Sequence, residues 1–142
     1  MLFQSDRFPC VWSEHPDRDP PPGRDFAQAL LDGFVRIGAA PPTLKVGDRQ
    51  WEHSNWFFWI IWRGNEFQID LEPSAQDTVP PTWHFGITRV RGMFSAIFGN
   101  RENSFDVPDE FLQEAGGVLQ QTAGCGPIAW ITEDEAIDSL YG

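Results

Sequence analysis

The chain has 142 residues and a formal net charge of −11 at pH 7, and 41% of its residues are hydrophobic, with seven tryptophans and twelve phenylalanines. This length and composition predict a single domain, residues 1–142, with a substantial hydrophobic core. The charge argues against nucleic acids and anionic membranes as partners, because both carry charge of the same sign.

The sequence shows no membrane-spanning or secretory segment. No stretch approaches the roughly 18 apolar residues of a transmembrane helix, and the N-terminus has no basic region followed by an apolar one, so we expect no signal peptide. Cys10 and Cys125 lie far apart in the sequence and make no disulfide framework. These features predict a cytoplasmic protein of bacterial type with reduced thiols.

The first elements in chain order are a proline-rich segment and a helix. Residues 1–23 are predicted to be irregular, and their apolar side chains are expected either to dock on the core or to form an edge strand. Residues 24–37 are predicted to be helical, because their apolar residues recur every three or four positions. Gly38 suits the end of this helix. The apolar residues in question are Phe3, Phe8, Val11 and Trp12 in the first segment, and Phe26, Leu30, Phe34 and Ile37 in the helix.

The segment 56–72, W-F-F-W-I-I-W-R-G-N-E-F-Q-I-D-L-E, predicts a β-hairpin. Two apolar-rich runs meet at Gly64-Asn65, a pair that supplies the positive φ values of a tight turn. With these two residues as the loop, Trp62 faces Phe67 and Trp59 faces Asp70. Because side chains alternate between faces, one face of the hairpin is wholly apolar and is predicted to be core. This face consists of Trp56, Phe58, Ile60, Trp62, Phe67, Ile69 and Leu71.

The other face of the hairpin mixes aromatic and acidic side chains. Phe57, Trp59 and Ile61 lie on one strand, and carboxylates lie on its neighbour. Such a face has two interpretations: a helix covers its aromatic half, or it receives a cation, a guanidinium group or a sugar. The polar side chains of the second strand are Glu66, Gln68, Asp70 and Glu72.

Several shorter elements follow from local patterns. Residues 44–46 are predicted to form a short strand, and residues 82–91 a longer one. The alternation of the longer strand breaks at Val90, which indicates a bulge or the end of the strand. Residues 92–99 are compatible with a helix or a strand. In the longer strand, the side chains predicted to face the core are Trp83, Phe85 and Ile87, and those predicted to face outward are His84, Gly86 and Thr88.

The last third of the chain predicts helix, strand and helix. Pro108 suits the start of a helix over 108–123, residues 127–131 form a compact apolar strand, and a capping-box pattern precedes a helix at about 133–141. The predicted fold is therefore α+β, a mainly antiparallel sheet centred on the 56–72 hairpin with helices packed on one face.

The negative charge is concentrated late in the sequence. Residues 102–142 contain nine acidic side chains and no lysine or arginine. A field of one sign would speed the encounter with a basic partner, although an acidic surface also serves solubility alone. We therefore expect a basic protein partner rather than a nucleic acid or a membrane.

Catalytic and metal-binding patterns are weak. Cys125 lies between two glycines, and His53 or His84 could supply a base for it, but the spacing matches no nucleophile signature. The three histidines include no metal-ligand pair, and the sequence has no nucleotide-binding or G-x-S-x-G motif. Asp70 and Glu72 would serve acid–base chemistry only if burial raised the pKa of one of them. We therefore assign no catalytic, cofactor-binding or metal-binding residue, and we expect a protein that is not an enzyme and has no cofactor.

In size, charge, tryptophan content and general architecture the chain resembles the small acidic immunity proteins of bacterial toxin systems. This resemblance, which rests on no residue motif, implies a single α+β domain without a cofactor that caps a basic toxin. The leading hypothesis is thus a non-enzymatic protein-binding domain, of which an immunity or inhibitor protein is one form. The alternatives are a small-ligand-binding or hydrolytic domain that uses Phe57, Trp59, Asp70, Glu72 and His84, and a structural accessory subunit. The predicted partner-binding residues are Trp59, Asp70, Glu72, Asp109, Glu110, Glu133, Asp134, Glu135 and Asp138.

Overall fold

The computed structural model describes residues 1–16, 18–39, 51–52, 55–74, 79–90, 107–126, 128 and 130. These residues include the strands β1 (Leu2–Gln4), β2 (Trp51–Glu52), β3 (Asn55–Trp62), β4 (Asn65–Pro73) and β5 (Thr82–Arg89), and the helices α1 (Arg24–Arg36) and α2 (Asp109–Ala123). The strands form one antiparallel sheet in the order β1-β5-β4-β3-β2. The predicted α+β fold class with an antiparallel sheet is confirmed.

The β3–β4 hairpin turns at Arg63-Gly64, one residue earlier than predicted. Trp62 pairs with Asn65, so the predicted pairing of Trp62 with Phe67 was wrong by two residues on the partner strand. Because a shift of two residues preserves the alternation of side chains, every apolar residue still falls on the predicted face.

Two neighbouring side chains contact the arginine of the turn. Arg63 has φ 47° and Gly64 has φ 79°, the two positive values that a type I′ turn requires. The guanidinium of Arg63 lies over the ring of Trp62, 4.4 Å from its centroid, and forms an ion pair with Glu110. These contacts favour a conformation that is uncommon for a residue with a side chain, and Asn65 becomes the first residue of β4 instead of a loop residue.

One face of the sheet, which we call the inner face, forms the core with the two helices. Phe34 of α1 meets Phe58 edge to face, with ring centroids 6.1 Å apart, and Phe111 of α2 stacks on Phe67 at 4.5 Å. Burial of each such side chain stabilises the fold by roughly 1.5–3 kcal/mol. The inner-face residues of the hairpin are at most 7% exposed, as predicted: Trp56, Phe58, Ile60, Trp62, Phe67, Ile69 and Leu71.

Helix α1 buries most of its predicted stripe. Phe26, Leu30 and Phe34 have no exposed surface, whereas Ile37 is 39% exposed, so the last position of the predicted stripe was wrong. Ile37 is the C-cap residue, and its side chain no longer follows the helical direction. Gly38, with φ 77°, turns the chain away from the helix.

The end of α1 is tied to the sheet. The N–H groups of Gly38 and Ala39 donate to the carbonyls of Val35 and Phe34 at 3.0 and 2.8 Å, the pattern of a Schellman motif. The carbonyl of Ala39 then accepts a hydrogen bond from the N–H of Ile61 at 2.8 Å. This bond satisfies a backbone donor of β3 at the end that β2 does not cover.

Helix α2 follows Pro108 at the N-cap position and packs directly on α1. A β-carbon placed on Gly33 of α1 would lie 2.6 Å from Cγ1 of Val118, so the two helices approach closely at this point. The missing side chain of Gly33 therefore sets the distance between the helices. The buried residues of α2 are Phe111, Ala115, Gly116, Val118, Leu119 and Ala123.

The N-terminal segment forms the expected edge strand and docks Phe8 on the core, whereas Val11 is exposed. Leu2–Gln4 forms the edge strand β1, and Phe8 stacks on Phe26 with ring centroids 4.3 Å apart. Ser5 Oγ donates to the carbonyl of Ala123 at 2.6 Å, and Arg7 Nη1 donates to the carbonyl of Gln121 at 2.7 Å. The segment thus binds carbonyl groups that the last turn of α2 leaves without helical partners.

Strand β5 has the predicted faces and end. Trp83 and Phe85 are fully buried, and the strand stops at Arg89, before Val90. The predicted strand over 127–131 is absent at Ile128 and Trp130, the two of its residues that the structure describes. The predicted elements 44–46, 92–99 and 133–141 lie outside the described residues.

Candidate partner-binding surface

The outer face of the sheet presents three rows of side chains. In the first row Glu72 of β4 pairs with His84 of β5, and in the second Asp70 lies between Phe57 and Gly86. In the third row Gln68 lies between Trp59 and Thr88. The predicted juxtaposition of Trp59 with Asp70 was therefore wrong, because the two-residue shift of register places Phe57 opposite Asp70.

The aromatic part of this face is exposed at Trp59 and half-buried at Phe57. Trp59 is 41% exposed and Ile61 is 54% exposed, and the rings of Phe57 and Trp59 meet edge to face with centroids 5.3 Å apart. Helices α1 and α2 both pack on the inner face, so neither of them covers these side chains. The expectation that a helix covers the aromatic half is not met by either helix that the structure describes.

Asp70 is the best-organised carboxylate on the outer face. Its Oδ1 accepts hydrogen bonds from Asn55 Nδ2 at 2.8 Å and from Gln68 Nε2 at 2.9 Å. Both of these donors are neutral amides and bring no positive charge to the carboxylate. Oδ2 accepts no hydrogen bond from the described residues and lies 3.9 Å from the position that a β-carbon on Gly86 would take.

His84 lies beside this carboxylate. Its Cε1 lies 3.5 Å from the position that a β-carbon on Gly86 would take. Burial lowers the pKa of His84 below its ordinary value, and the N-terminal ammonium group lowers it further, while the carboxylates of Glu72 and Asp70 act in the opposite direction. The imidazole therefore favours its neutral form, and it adds no positive charge that would compete with a cationic ligand at neutral pH.

The other predicted partner-binding residues lie elsewhere. Asp109 and Glu110 are exposed in the first turn of α2, in the helical layer rather than on the outer face. Glu110 pairs with Arg63 at the hairpin turn, which partly neutralises it. Glu133, Asp134, Glu135 and Asp138 lie outside the described residues.

Three residues of this surface escaped the sequence analysis as site residues. Gly86 carried a signal, because a glycine within a strand marks a bulge or a close approach of other groups. Asn55 and Gln68 carried none, since their role as donors to Asp70 depends on side-chain geometry and on the exact partner strand positions.

The two cysteines show no activation. Burial raises the pKa of both Cys10 and Cys125, which lowers the fraction of reactive thiolate at neutral pH. Within the described ranges no three histidine, cysteine, aspartate or glutamate side chains come together as a potential metal site. The chemistry that the outer face offers is therefore non-covalent recognition by aromatic rings and carboxylates.

No protein-family model, no curated protein and no solved structure matches this chain. In the part of the chain that the structure covers, neither helix combines the length and the apolar character that crossing a bilayer demands.

Proposed function

We propose that this chain is a non-enzymatic protein-binding domain whose outer sheet face engages a basic polypeptide. The observation that carries the proposal is the exposure of Trp59 on a face whose next strand bears Asp70 and Glu72. Contiguous exposed apolar patches rimmed by polar groups mark interaction sites, and Ile61 extends the exposed surface of Trp59 on the same strand. Tryptophan is also among the residues most often found at the energetic centre of interfaces.

The charge of the face selects the sign of the partner. Strand β4 presents Glu66, Asp70 and Glu72 on this side, and the whole chain carries a formal charge of −11. A basic partner would be attracted at long range and oriented by these carboxylates on arrival. In this proposal the protein acts as an inhibitor or immunity protein, which needs recognition of its partner and no chemistry of its own.

The test uses the indole N–H signal of Trp59 in a ¹H–¹⁵N NMR spectrum of the full chain. Trp59→Phe assigns that signal among the seven tryptophans. Peptides of equal length that carry basic, neutral or acidic side chains are titrated at low and moderate salt. We expect the basic peptide alone to shift the Trp59 signal, with an affinity that falls as salt screens the charges.

Matched charge variants locate the surface. Asp70→Asn should weaken binding of the basic peptide, whereas Asp32→Asn removes the same charge from α1, on the far side of the sheet, and should leave the affinity almost unchanged. Asp109→Asn tests the competing location at the start of α2. The proposal is contradicted if the basic peptide leaves the Trp59 signal in place, or if Asp109→Asn weakens binding and Asp70→Asn does not.

A second candidate function is the binding of a small cationic molecule. The observation that favours it is the grouping of His84, Glu72 and Asp70 in neighbouring rows, with Phe57 opposite Asp70. Titration with free cationic metabolites, such as choline and agmatine, distinguishes the two. Saturation of the Trp59 shift by such a molecule at micromolar concentration would favour the small ligand over the polypeptide.

A further inference from the structure

We infer that the outer face is built to receive one arginine side chain of the partner, with its guanidinium group on Oδ2 of Asp70 and its flat face against Phe57 and Trp59. This inference rests on the proposed function and names the chemical group that the surface recognises. It commits to arginine rather than lysine, for reasons that lie in the geometry of Asp70 and its neighbours.

The first reason is that Asp70 is oriented before any ligand arrives. The side chains of Asn55 and Gln68 both bind Oδ1, at 2.8 and 2.9 Å, which fills the two acceptor positions of that oxygen. The carboxylate is thereby fixed in rotation, and Oδ2 remains as its acceptor. Because an oriented group loses little conformational freedom on binding, more of its interaction energy appears as affinity.

The fixing of Asp70 also has a cost within the protein. With its amide nitrogen directed to Asp70, Asn55 leaves its own Oδ1 buried and without a hydrogen-bond partner among the described residues. A buried acceptor without a hydrogen-bond partner destabilises the folded chain. The arrangement therefore favours the orientation of the carboxylate over the hydrogen bonding of Asn55.

The second reason is the aromatic wall. Phe57 lies directly opposite Asp70 on β3, and side chains at such positions are separated by about 4.5–5.5 Å at their β-carbons. The ring of Trp59 contacts that of Phe57. In this proposal the flat face of the guanidinium turns toward these rings, where a cation within about 6 Å of a ring centroid is attracted by the ring.

The third reason is the space over Gly86. This glycine lies opposite Asp70 on β5, and a β-carbon there would stand between Cε1 of His84 and the Asp70 carboxylate, at 3.5 and 3.9 Å. The missing side chain opens a notch beside Oδ2. A planar group enters such a notch edge-on, whereas a hydrated ammonium group is rounder and holds its water more strongly.

Arginine fits these three features better than lysine. Its guanidinium is flat, donates from its edge to Oδ2, and stacks on aromatic rings while its edge is hydrogen-bonded. The lysine ammonium can satisfy Asp70 but gains less from the aromatic wall, because it must lose more hydration to approach the rings.

The experiment compares two capped hexapeptides, hexa-arginine and hexa-lysine, by the shift of the Trp59 indole signal at physiological salt. We expect hexa-arginine to bind the full chain roughly tenfold more tightly. Gly86→Ala should fold normally, because the added methyl group makes only ordinary contacts of 3.5–3.9 Å, and it should remove most of that preference. Gly117→Ala on α2, where a β-carbon meets nothing within 4 Å, is the matched control and should keep the preference.

The outcomes separate this inference from the proposed function. If both peptides shift the Trp59 signal with equal affinity, the basic-partner function stands and the arginine site is refuted. If neither peptide does so, the proposed function itself fails. A preference for arginine that survives both Gly86→Ala and Asp70→Asn places the guanidinium elsewhere and also refutes the inference. A preference lost in these two variants and kept in Gly117→Ala supports it.

Discussion

The closest approach between the two helices predicts the effect of a single methyl group. A β-carbon on Gly33 would lie 2.6 Å from Cγ1 of Val118, about 1 Å short of the optimal separation of two carbon atoms. Densely packed interiors relax little, and such overpacking costs roughly 1–3 kcal/mol. Replacement of glycine by alanine within a helix alone stabilises by about 1 kcal/mol. Gly33→Ala should therefore lower the free energy of unfolding by up to about 2 kcal/mol.

The sign of this effect should reverse when the obstructing methyl group is removed. In Val118→Ala the next atoms near the new β-carbon are Arg36 Nη2 at 3.5 Å and the β-carbon of residue 118 at 3.7 Å, which are ordinary contacts. Gly33→Ala in this background should therefore show only the helix-propensity gain of about 1 kcal/mol.

The assay is a double-mutant cycle measured by urea denaturation of four proteins: wild type, Gly33→Ala, Val118→Ala and the double variant. We expect a coupling free energy of about 1–3 kcal/mol between the two positions. Gly117→Ala, at an open position on α2, controls for propensity and should stabilise by about 1 kcal/mol. If Gly33→Ala changes the stability equally with and without Val118, the assigned contact between the helices is wrong.

Three further predictions test other parts of the structure. Trp59→Ala should lower the free energy of unfolding by less than about 1 kcal/mol, whereas Trp56→Ala on the inner face should lower it by about 3–5 kcal/mol. If urea titrations show the same loss of stability in both variants, the assignment of the two residues to opposite faces is wrong. Ser5→Ala should cost about 1–3 kcal/mol through the lost bond to the carbonyl of Ala123, and a thermal midpoint that does not fall would show that this bond is unimportant. Because the pKa of His84 is lowered in the folded state, the unfolded chain binds more protons than the folded chain below pH 6.5. The stability of the wild type should therefore decline as the pH falls from about 7 to 5. In His84→Gln the urea midpoint should decline less steeply over the same range.

The layers of this fold follow from the sequence because burial depends on periodicity. Alternation along 56–72 assigned each side chain to a face, and a register error of two residues left that assignment intact. The position of the turn did not follow, since Arg63 takes a positive φ while its guanidinium contacts Trp62 and Glu110 of α2, 47 residues later. Such contacts cannot be read from local turn preferences.

The candidate surface was only partly predictable, for the same reason. The mixture of aromatic and acidic residues on one face required only alternation, and the sequence showed it. The row that places Phe57 beside Asp70 required the true register, and the orientation of Asp70 required two amides whose directions no pattern encodes. The chemistry of the surface therefore depends on the exact strand register, whereas the burial of the core residues is unchanged by a shift of two residues.

The two faces of the sheet differ in what they need for folding, and this difference supports a functional origin for the outer one. The inner face and the helices already bury the large side chains of the hairpin, with Trp56, Phe58 and Ile60 each 1% exposed. Trp59 and Ile61 add little to that core, and exposed apolar side chains on a sheet invite unwanted association. The carboxylates of the adjacent strand oppose such association between copies of this acidic chain, because like charges repel, and they leave the aromatic side chains accessible to a partner of opposite charge.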